Sequence, residues 1–492
     1  MIPNLIVSLL AVAAFGFGLW RSGIVPVARK TVTTAFSGIS AITDSSLDDD
    51  AKEAAVRQAA IALLGAAFSI AVRMALVLAL AAVPIFLADL VGIASSDAVM
   101  SLMARLDYIV IVSIVAIVLG EGLRRRAKRG ASAAAGTSAA SNSYSDVERV
   151  LHGIAFSSPG LQRRVSRLEN RLIGKPAVTA APPIFVTSLA RGGTTALLNA
   201  LAELPGVSTH TYRDMPFVTA PVLWDRFAGG AKRSVATRER AHGDGLSIDL
   251  DSPEAFEEVI WKMHWPEKYV SDGIAPWTRD DRKAEADEFL AEHMAKVIRA
   301  RRGQDPAPPV RYCSKNNANI CRLQYLHDAF PDSEIIIPLR QPARHAESLH
   351  RQHMNFLDLQ SSDDFVRRYM ADIGHFEFGL IHKPMLFPGF DPTSTAPEDP
   401  NHWLEYWIAA FQFVEARLED GQRLTLVGQD SLRQRPQDTM AKLADRLDQP
   451  LTDQVFDKTF RSSPDTGDDG VFRSDLLDEA GHIYARLNSL AF

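Results

Sequence analysis

The chain has 492 residues, more than one ordinary domain holds, so two or three separately organised parts are expected. Its 53 basic and 59 acidic residues leave a net charge of -6, which argues against non-specific nucleic-acid binding and leaves room only for a local basic cleft. Two cysteines, Cys313 and Cys321, make neither a disulfide framework nor a zinc-ligand pattern; they read as small buried residues in a reducing compartment.

The apolar residues concentrate in the first quarter. Residues 2–20 carry no charge, and as a helix they reach about 28 Å, close to the ~30 Å hydrocarbon core of a bilayer. Positive charge follows that run, at Arg21, Arg29 and Lys30, the reverse of a cleaved secretory signal, so a retained anchor is predicted. A second span is expected over 70–92, with Arg73 and Asp89 towards its two interfaces. A third is expected over 104–122, where the alternative is an amphipathic or re-entrant hairpin. The basic run 124–129 comes next, and such clusters stay cytoplasmic. Residues 1–129 therefore read as an α-helical membrane anchor region. Met1 is expected outside and everything after residue 124 on the cytoplasmic side, as in a bacterial inner-membrane protein.

Residues 130–145 are rich in Ala, Ser and Gly and cannot bury enough surface to offset their ordering entropy, so a flexible linker is predicted. Residues 146–182 read as a helical connector, amphipathic and broken near 157–160, ending in an extended Pro/Ala stretch. From 183 to 492 short apolar runs alternate with helical periods. Ile184-Phe185-Val186-Thr187 is a β-branched strand, 194–204 has helical spacing, and 334–339 and 424–427 are two more buried strands. Strands alternating with helices predict an α/β domain on a parallel sheet, with ligands at the carboxyl ends of the strands.

Two motifs begin at those ends. In Ser188-Leu189-Ala190-Arg191-Gly192-Gly193-Thr194-Thr195 the paired glycines let the backbone wrap an anion, and the helix that follows presents unpaired N–H groups and the positive end of its dipole. Thr194 and Thr195 add hydroxyl donors, and Arg191 adds a charge. No lysine precedes the threonines, so this is not the G-x-x-x-x-G-K-[ST] cradle of ATP hydrolysis. The second motif is Leu339-Arg340-Gln341-Pro342-Ala343-Arg344-His345-Ala346-Glu347-Ser348. In it an arginine leaves a strand, a proline follows two residues on and a serine eight residues on.

These segments resemble the sulfotransferase superfamily that uses 3′-phosphoadenosine 5′-phosphosulfate (PAPS), in its bacterial and tyrosylprotein-like branch. "PIFVTSLARGGTTALLNALAELPGV" is similar to that family's 5′-phosphosulfate loop and "EIIIPLRQPARHAES" to its 3′-phosphate motif. "YCSKNNANICRL" and "LTLVGQDSLRQRP" resemble two further family segments, and the four together cover about residues 180 to 440. The resemblance implies a P-loop-like fold, PAPS as nucleotide co-substrate and no metal. Arg191, Gly192, Gly193, Thr194 and Thr195 would hold the phosphosulfate, and Arg340 and Ser348 the 3′-phosphate. Two departures stand out: Arg191 replaces the lysine of the cytosolic branch, and the family's Y-E-D reads Gly428-Gln429-Asp430.

Sulfuryl transfer is an in-line displacement in which the protein positions the partners and stabilises developing charge. Arg191 and Lys315 are the cations expected on the sulfuryl and leaving oxygens. The resemblance implies a general base in "STHTYRDMPF", with Asp214 as first choice and His210 as alternative. His264, Trp403, Tyr406 and Trp407 are candidates for an acceptor pocket, and 386–400 is long enough for a lid. The acceptor itself is not legible; tethering favours a membrane-proximal one, lipid-linked or glycan. The rival readings are a membrane-anchored P-loop nucleotide kinase or NTPase, and a non-catalytic nucleotide-binding scaffold.

Overall fold

The computed structural model describes residues 2–24, 27, 49–105, 108, 112, 146–177, 181–228, 238–239, 247–248, 252–303, 306, 309–451, 455–456, 459–460 and 469–492. The chain divides into two units, Met1–Gly120 and Glu121–Phe492. Most of the span expected at 104–122, the charges Arg29 and Lys30, the basic run 124–129 and the linker 130–145 lie outside the described residues.

In the first unit α1 (Ile2–Ser22) packs on α2 (Asp49–Leu90), followed by the short α3 (Ser96–Met103). The Ala- and Leu-rich sequence of α2 sustains one long helix until Gly92, whose left-handed φ of +73° ends it. Gly18 lets the two helices meet closely, since a Cβ there would lie 3.2 Å from Val77 Cγ1. Arg73 donates to the Ser22 carbonyl at the end of α1 and to Ser69 Oγ, which gives this charge polar partners within an apolar helix. Within α2, Gly65–Leu90 has 26 residues and a mean hydropathy of 2.5, long and apolar enough to cross a membrane by length and composition. Its Phe68, Leu76, Phe86 and Leu90 are exposed. The apolar part of α1, Pro3–Leu19, is shorter.

The second unit begins with α4 (Asp146–Ala155) and α5 (Pro159–Ile173). Ser158 separates them: its Oγ accepts from Leu161 N, and Pro159 occupies the first turn, where a missing N–H is harmless. Five strands follow, β1 (Ile184–Val186), β2 (Val207–Ser208), β3 (Arg311–Lys315), β4 (Glu334–Leu339) and β5 (Leu424–Gly428). They form one parallel sheet in the order β2-β3-β1-β4-β5. The α/β parallel-sheet expectation holds. The sequence reading named β1, β4 and β5 as strands; β2, two residues long, and β3, whose YCSK carries little apolar signal, are formed by pairing with their neighbours.

Alternation along the strands builds a core on each face. Ile184, Val186, Cys313 and Ile336 pack with α6 (Thr194–Ala202) through Leu197, Leu198 and Leu201. Phe185, Tyr312, Ile335 and Ile337 face a larger core that includes Trp261, Trp265 and Trp277. That side is covered by α9 (Ala284–Arg302), α11 (Pro342–Ser362), α13 (Pro400–Glu419) and α16 (Ser474–Leu490); α7 (Pro221–Ala228), α8 (Glu258–His264), α10 (Leu323–Ala329), α12 (Asp364–Ile373), α14 (Gln429–Gln434) and α15 (Pro436–Arg446) complete the unit. Both cysteines are buried and unpaired, and burial pushes their thiols up to about 12.

Helix α5 is bound into this unit by polar contacts. Lys296 on α9 donates to Ser166 Oγ at 2.7 Å, and Thr219 Oγ1 donates to the Gln162 carbonyl at 2.8 Å. Glu169 accepts from Leu223 N at 2.6 Å, while its other oxygen has no hydrogen bond and lies 3.7 Å from Lys296. Burial raises Glu169 from its ordinary 4.5 to about 7, outweighing the Leu223 hydrogen bond and the charges of Lys296 and Arg299. A raised carboxylate favours the folded state when neutral, so this contribution is full below about 4.5 and is lost as pH rises through 7. Glu169→Gln should therefore reduce the fall in urea midpoint between pH 5 and pH 8 relative to the parent chain, measured by denaturation at both pH values.

Candidate active site

The turn after β1 has to reverse within a few residues at the carboxyl edge of the sheet. Arg191 takes a φ of +66° and Gly193 a φ of +97°, the left-handed turn that opens α6. At Gly192 there is no room for a side chain: a Cβ would lie 2.8 Å from Ser188 Oγ and 3.0 Å from the Leu189 carbonyl. The loop is pinned from outside as well. His345 on α11 lies with Nε2 at 2.8 Å from the Ala190 carbonyl, and burial, reinforced by the Arg340 charge, pushes its pKa down to about 3. The imidazole is therefore neutral, and it is Nε2–H that donates.

Arg340 leaves β4 beside this loop and donates to the Arg191 carbonyl at 2.9 Å. Arg191 Nε in turn donates to Ser348 Oγ at 3.3 Å. The structure thus brings Arg191, Arg340 and Ser348 together, although 149 residues separate the two arginines in sequence. Burial, reinforced by the charges of Arg433, Arg191 and Arg351 against one acidic neighbour, Glu347, lowers Arg340 to about 10. Among the described residues its buried Nε has no hydrogen-bond partner, and neither has the buried Ser188 Oγ. Clustered cations with orphaned buried donors, over a helix N-terminus, suit a polyanion. Gln429 closes the far side, its amide 3.1 Å from where a Cβ on Gly193 would stand. The departure Gly428-Gln429-Asp430 thus lies against the turn after β1.

Lys315 ends β3, in register with Val186 of β1, and is buried. It lines a cleft with Ala190, Asn317, Glu377, Trp403 and Tyr406. Thr194 Oγ1 donates to Asn317 Oδ1 at 3.1 Å, and Asn317 Nδ2 donates to Glu377 Oε1 at 2.8 Å, so the loop and the cleft share one hydrogen-bond chain. Thr195, half-buried, stands beside Thr194 in the first turn of α6. Of the aromatic candidates, Trp403 and Tyr406 line the cleft. Trp407 instead stacks on Phe411 with ring centroids 4.4 Å apart, and His264 packs on Phe289. The 386–400 segment is tied down by Trp403 Nε1 on the Pro397 carbonyl and His350 on the Glu398 carbonyl.

Asp214 and His210 are not among the residues lining the cleft. They lie in a buried network under β2. Asp214 Oδ2 is 2.7 Å from His210 Nδ1 and accepts from Thr211 N at 3.1 Å, while Oδ1 pairs with Arg301. His210 Nε2 is 2.7 Å from His293 Nε2. Burial alone would raise Asp214, but the Arg301 charge and the His210 hydrogen bond outweigh it and hold the carboxyl well below its ordinary 3.8. Both oxygens are taken and proton affinity is low, features of a structural ion pair and the opposite of what a general base needs. Sequence reasoning passed over Glu377, since nothing within "HFEFGL" marks it and only the fold carries it to Lys315. Among the described residues no cluster of three or more His, Cys, Asp or Glu is arranged to hold a metal.

Residues 182–379 match the sequence pattern described as "Sulfotransferase family", the segment that runs from β1 through β4 to the cleft. This part of the chain carries the pattern of that family. Solved structures with similarity to the chain include sulfotransferase STF1 from Mycobacterium tuberculosis H37Rv, at 14% identity over 68% of this chain and 84% of that one, TM-score 0.37. Sulfotransferase STF9 from Mycobacterium avium is similar at 15% identity over 71% and 87%, TM-score 0.37. The sulfotransferase domain from the Curacin biosynthetic pathway is similar at 14% over 63% and 98%, TM-score 0.31. No curated protein sequence matches the chain.

Because the Asp214 pKa is depressed on folding, its stabilising contribution is full above about 3.8 and lost as pH falls below. Asp214→Asn leaves the half-buried Arg301 without its carboxylate partner and should lower stability at pH 7 by about 2–4 kcal/mol. Urea unfolding at pH 7 and pH 3 checks this, with the deficit shrinking at the lower pH.

Proposed function

We propose that the protein transfers a sulfuryl group from PAPS to a hydroxyl or amine of a membrane-proximal acceptor. The observation that carries the donor assignment is the pairing of Arg340 with the Arg191 carbonyl beside Ser348. On this reading the backbone and hydroxyls of Gly192, Gly193, Thr194 and Thr195 hold the 5′-phosphosulfate, with Arg191 as a cation beside it. Arg340 and Ser348 take the 3′-phosphate, a group that an ATP-dependent kinase or NTPase has no use for. Lys315, at the junction of loop and cleft, neutralises charge that develops on the bridging oxygen as the sulfur–oxygen bond breaks.

The acceptor enters from the cleft lined by Trp403 and Tyr406. The apolar helix Gly65–Leu90 supports a membrane anchor, and the basic run 124–129 supports a cytoplasmic catalytic unit supplied with PAPS from the cytosol. An anchored enzyme of this kind meets lipid-linked or glycan headgroups at the bilayer surface.

Adenosine 3′,5′-bisphosphate should bind far more tightly than AMP, and Arg340→Ala should erase about 10–100-fold of that preference, as expected for lost charge-assisted bonds to phosphate. Titration calorimetry with both nucleotides measures it; equal affinities in the parent chain, or tighter ATP binding, would overturn the donor assignment. A reporter fused after residue 492 is expected to be active as a cytoplasmic reporter only, and one fused before Met1 to report the opposite side. Both signals on one side would remove the proposed topology.

A further inference from the structure

We infer that Glu377 is the base that takes the proton from the acceptor hydroxyl, an inference that rests on the sulfuryl-transfer reading above. Two carboxylates line the cleft, Glu258 and Glu377, and their hydrogen bonding separates them from each other and from Asp214, which lies outside it. Both oxygens of Glu258 are bound by Arg322, at 2.7 Å each, and Oε2 also accepts from Asn316 Nδ2 at 2.7 Å. Both oxygens of Asp214 are engaged by Arg301, His210 and Thr211. Glu377 has one oxygen fixed by Asn317 at 2.8 Å, while its Oε2 has no hydrogen-bond partner among the described residues. It lines the cleft with Lys315 and is half-buried.

The other titratable groups facing this cleft are His375 and Lys383. His375 Nε2 lies 3.2 Å from the Ala255 carbonyl, so this nitrogen acts as a donor, and Lys383 donates to the Val270 and Ser271 carbonyls. Asn317 fixes the geometry of Glu377 by bridging it to Thr194 at the start of α6, which makes Asn317 a positioning residue.

In the step, the acceptor oxygen attacks sulfur, and the bond between sulfur and the bridging phosphate oxygen breaks. Its electron pair leaves with adenosine 3′,5′-bisphosphate, the acceptor proton passes to Glu377 Oε2, and that proton is then lost to solvent. A carboxylate that takes up a proton suits a neutral hydroxyl acceptor, and beside it the cleft is lined by Leu189, Ile274, Leu349, Phe376 and Met385 as well as by the cations Lys315 and Lys383. The acceptor class is therefore an uncharged hydroxyl on an apolar body.

The test uses the full chain with PAPS and two probe acceptors of differing acidity, 4-nitrophenol and 2-phenylethanol, at pH 8. Glu377→Gln should lower kcat for the alcohol by about 10²–10⁴-fold. Transfer to 4-nitrophenol, largely ionised already, should fall by less than about tenfold, because it needs no base. Glu377→Asp should recover part of the alcohol rate. Adenosine 3′,5′-bisphosphate affinity should stay unchanged in Glu377→Gln, whose side-chain oxygen can still accept from Asn317. Equal losses with both acceptors would mean a structural role and overturn the assignment, as would an undiminished alcohol rate in Glu377→Gln. A parent enzyme that binds adenosine 3′,5′-bisphosphate but transfers to neither probe, nor releases sulfate to water, overturns the cleft as acceptor site and leaves the donor reading standing. A parent enzyme without that nucleotide binding overturns the donor reading itself.

Discussion

A buried arginine whose charged neighbours are mostly arginines is the constraint around which the second unit is arranged. Arg340 lies with Arg191, Arg351 and Arg433 in its field, and burial and their repulsion lower its pKa to about 10. Such a group persists in a fold only where polar partners are supplied, and here the Arg191 carbonyl is one. That contact obliges the turn after β1 to present its carbonyls towards β4. It follows that Arg191 adopts a left-handed backbone, that Gly192 has no space for a Cβ and that His345 is held neutral over Ala190. The same constraint leaves donors pointing outward at the carboxyl edge of the sheet, where negative charge is stabilised.

The cleft beside this loop is rigid for a different reason. Arg322 is fully buried between the rings of Trp261 and Trp277, 4.4 and 4.1 Å from their centroids, and grips Glu258 with both terminal nitrogens. Burial alone would raise the Glu258 pKa, but the Arg322 charge outweighs it and keeps the carboxylate ionised. Removing either partner of such a buried pair strands a charge, so the pair acts as a fixed floor. Asn316 is bonded to it, and Lys315 and Asn317 flank Asn316 in sequence, so the short turn after β3 inherits that rigidity. Asn317 then joins the turn to Thr194 on one side and Glu377 on the other, linking the anion-binding loop to the cleft through side chains alone.

Much of this arrangement is legible from the sequence because its signals are local. The β-branched run at Ile184–Val186, the buried run of β4, the paired glycines at 192 and 193, and Pro342 at the start of α11 each reflect a backbone requirement met within a few residues. Uninterrupted apolar length is equally local, and so a long apolar helix at Gly65–Leu90 is readable without any tertiary contact. Arg191 stands out by its charge beside the paired glycines, whereas Arg340 and Ser348 stand out only through the resemblance of their segment to a known motif.

What only the tertiary structure decided is which polar groups are already satisfied. Asp214 and Glu377 look alike in sequence, each a carboxylate within a mixed polar and aromatic segment. Folding sets Asp214 against Arg301, 87 residues away, and leaves one oxygen of Glu377, which lines the cleft, without a hydrogen-bond partner among the described residues. Likewise Trp403 and Trp407 sit one helical turn apart on α13, yet one lines the cleft and the other stacks on Phe411. Periodicity can say that both are buried but not which surface each meets. Local backbone preference is encoded residue by residue, whereas the proton affinity and availability of a side chain depend on long-range charge and hydrogen bonding, which exist only once distant segments have been brought together.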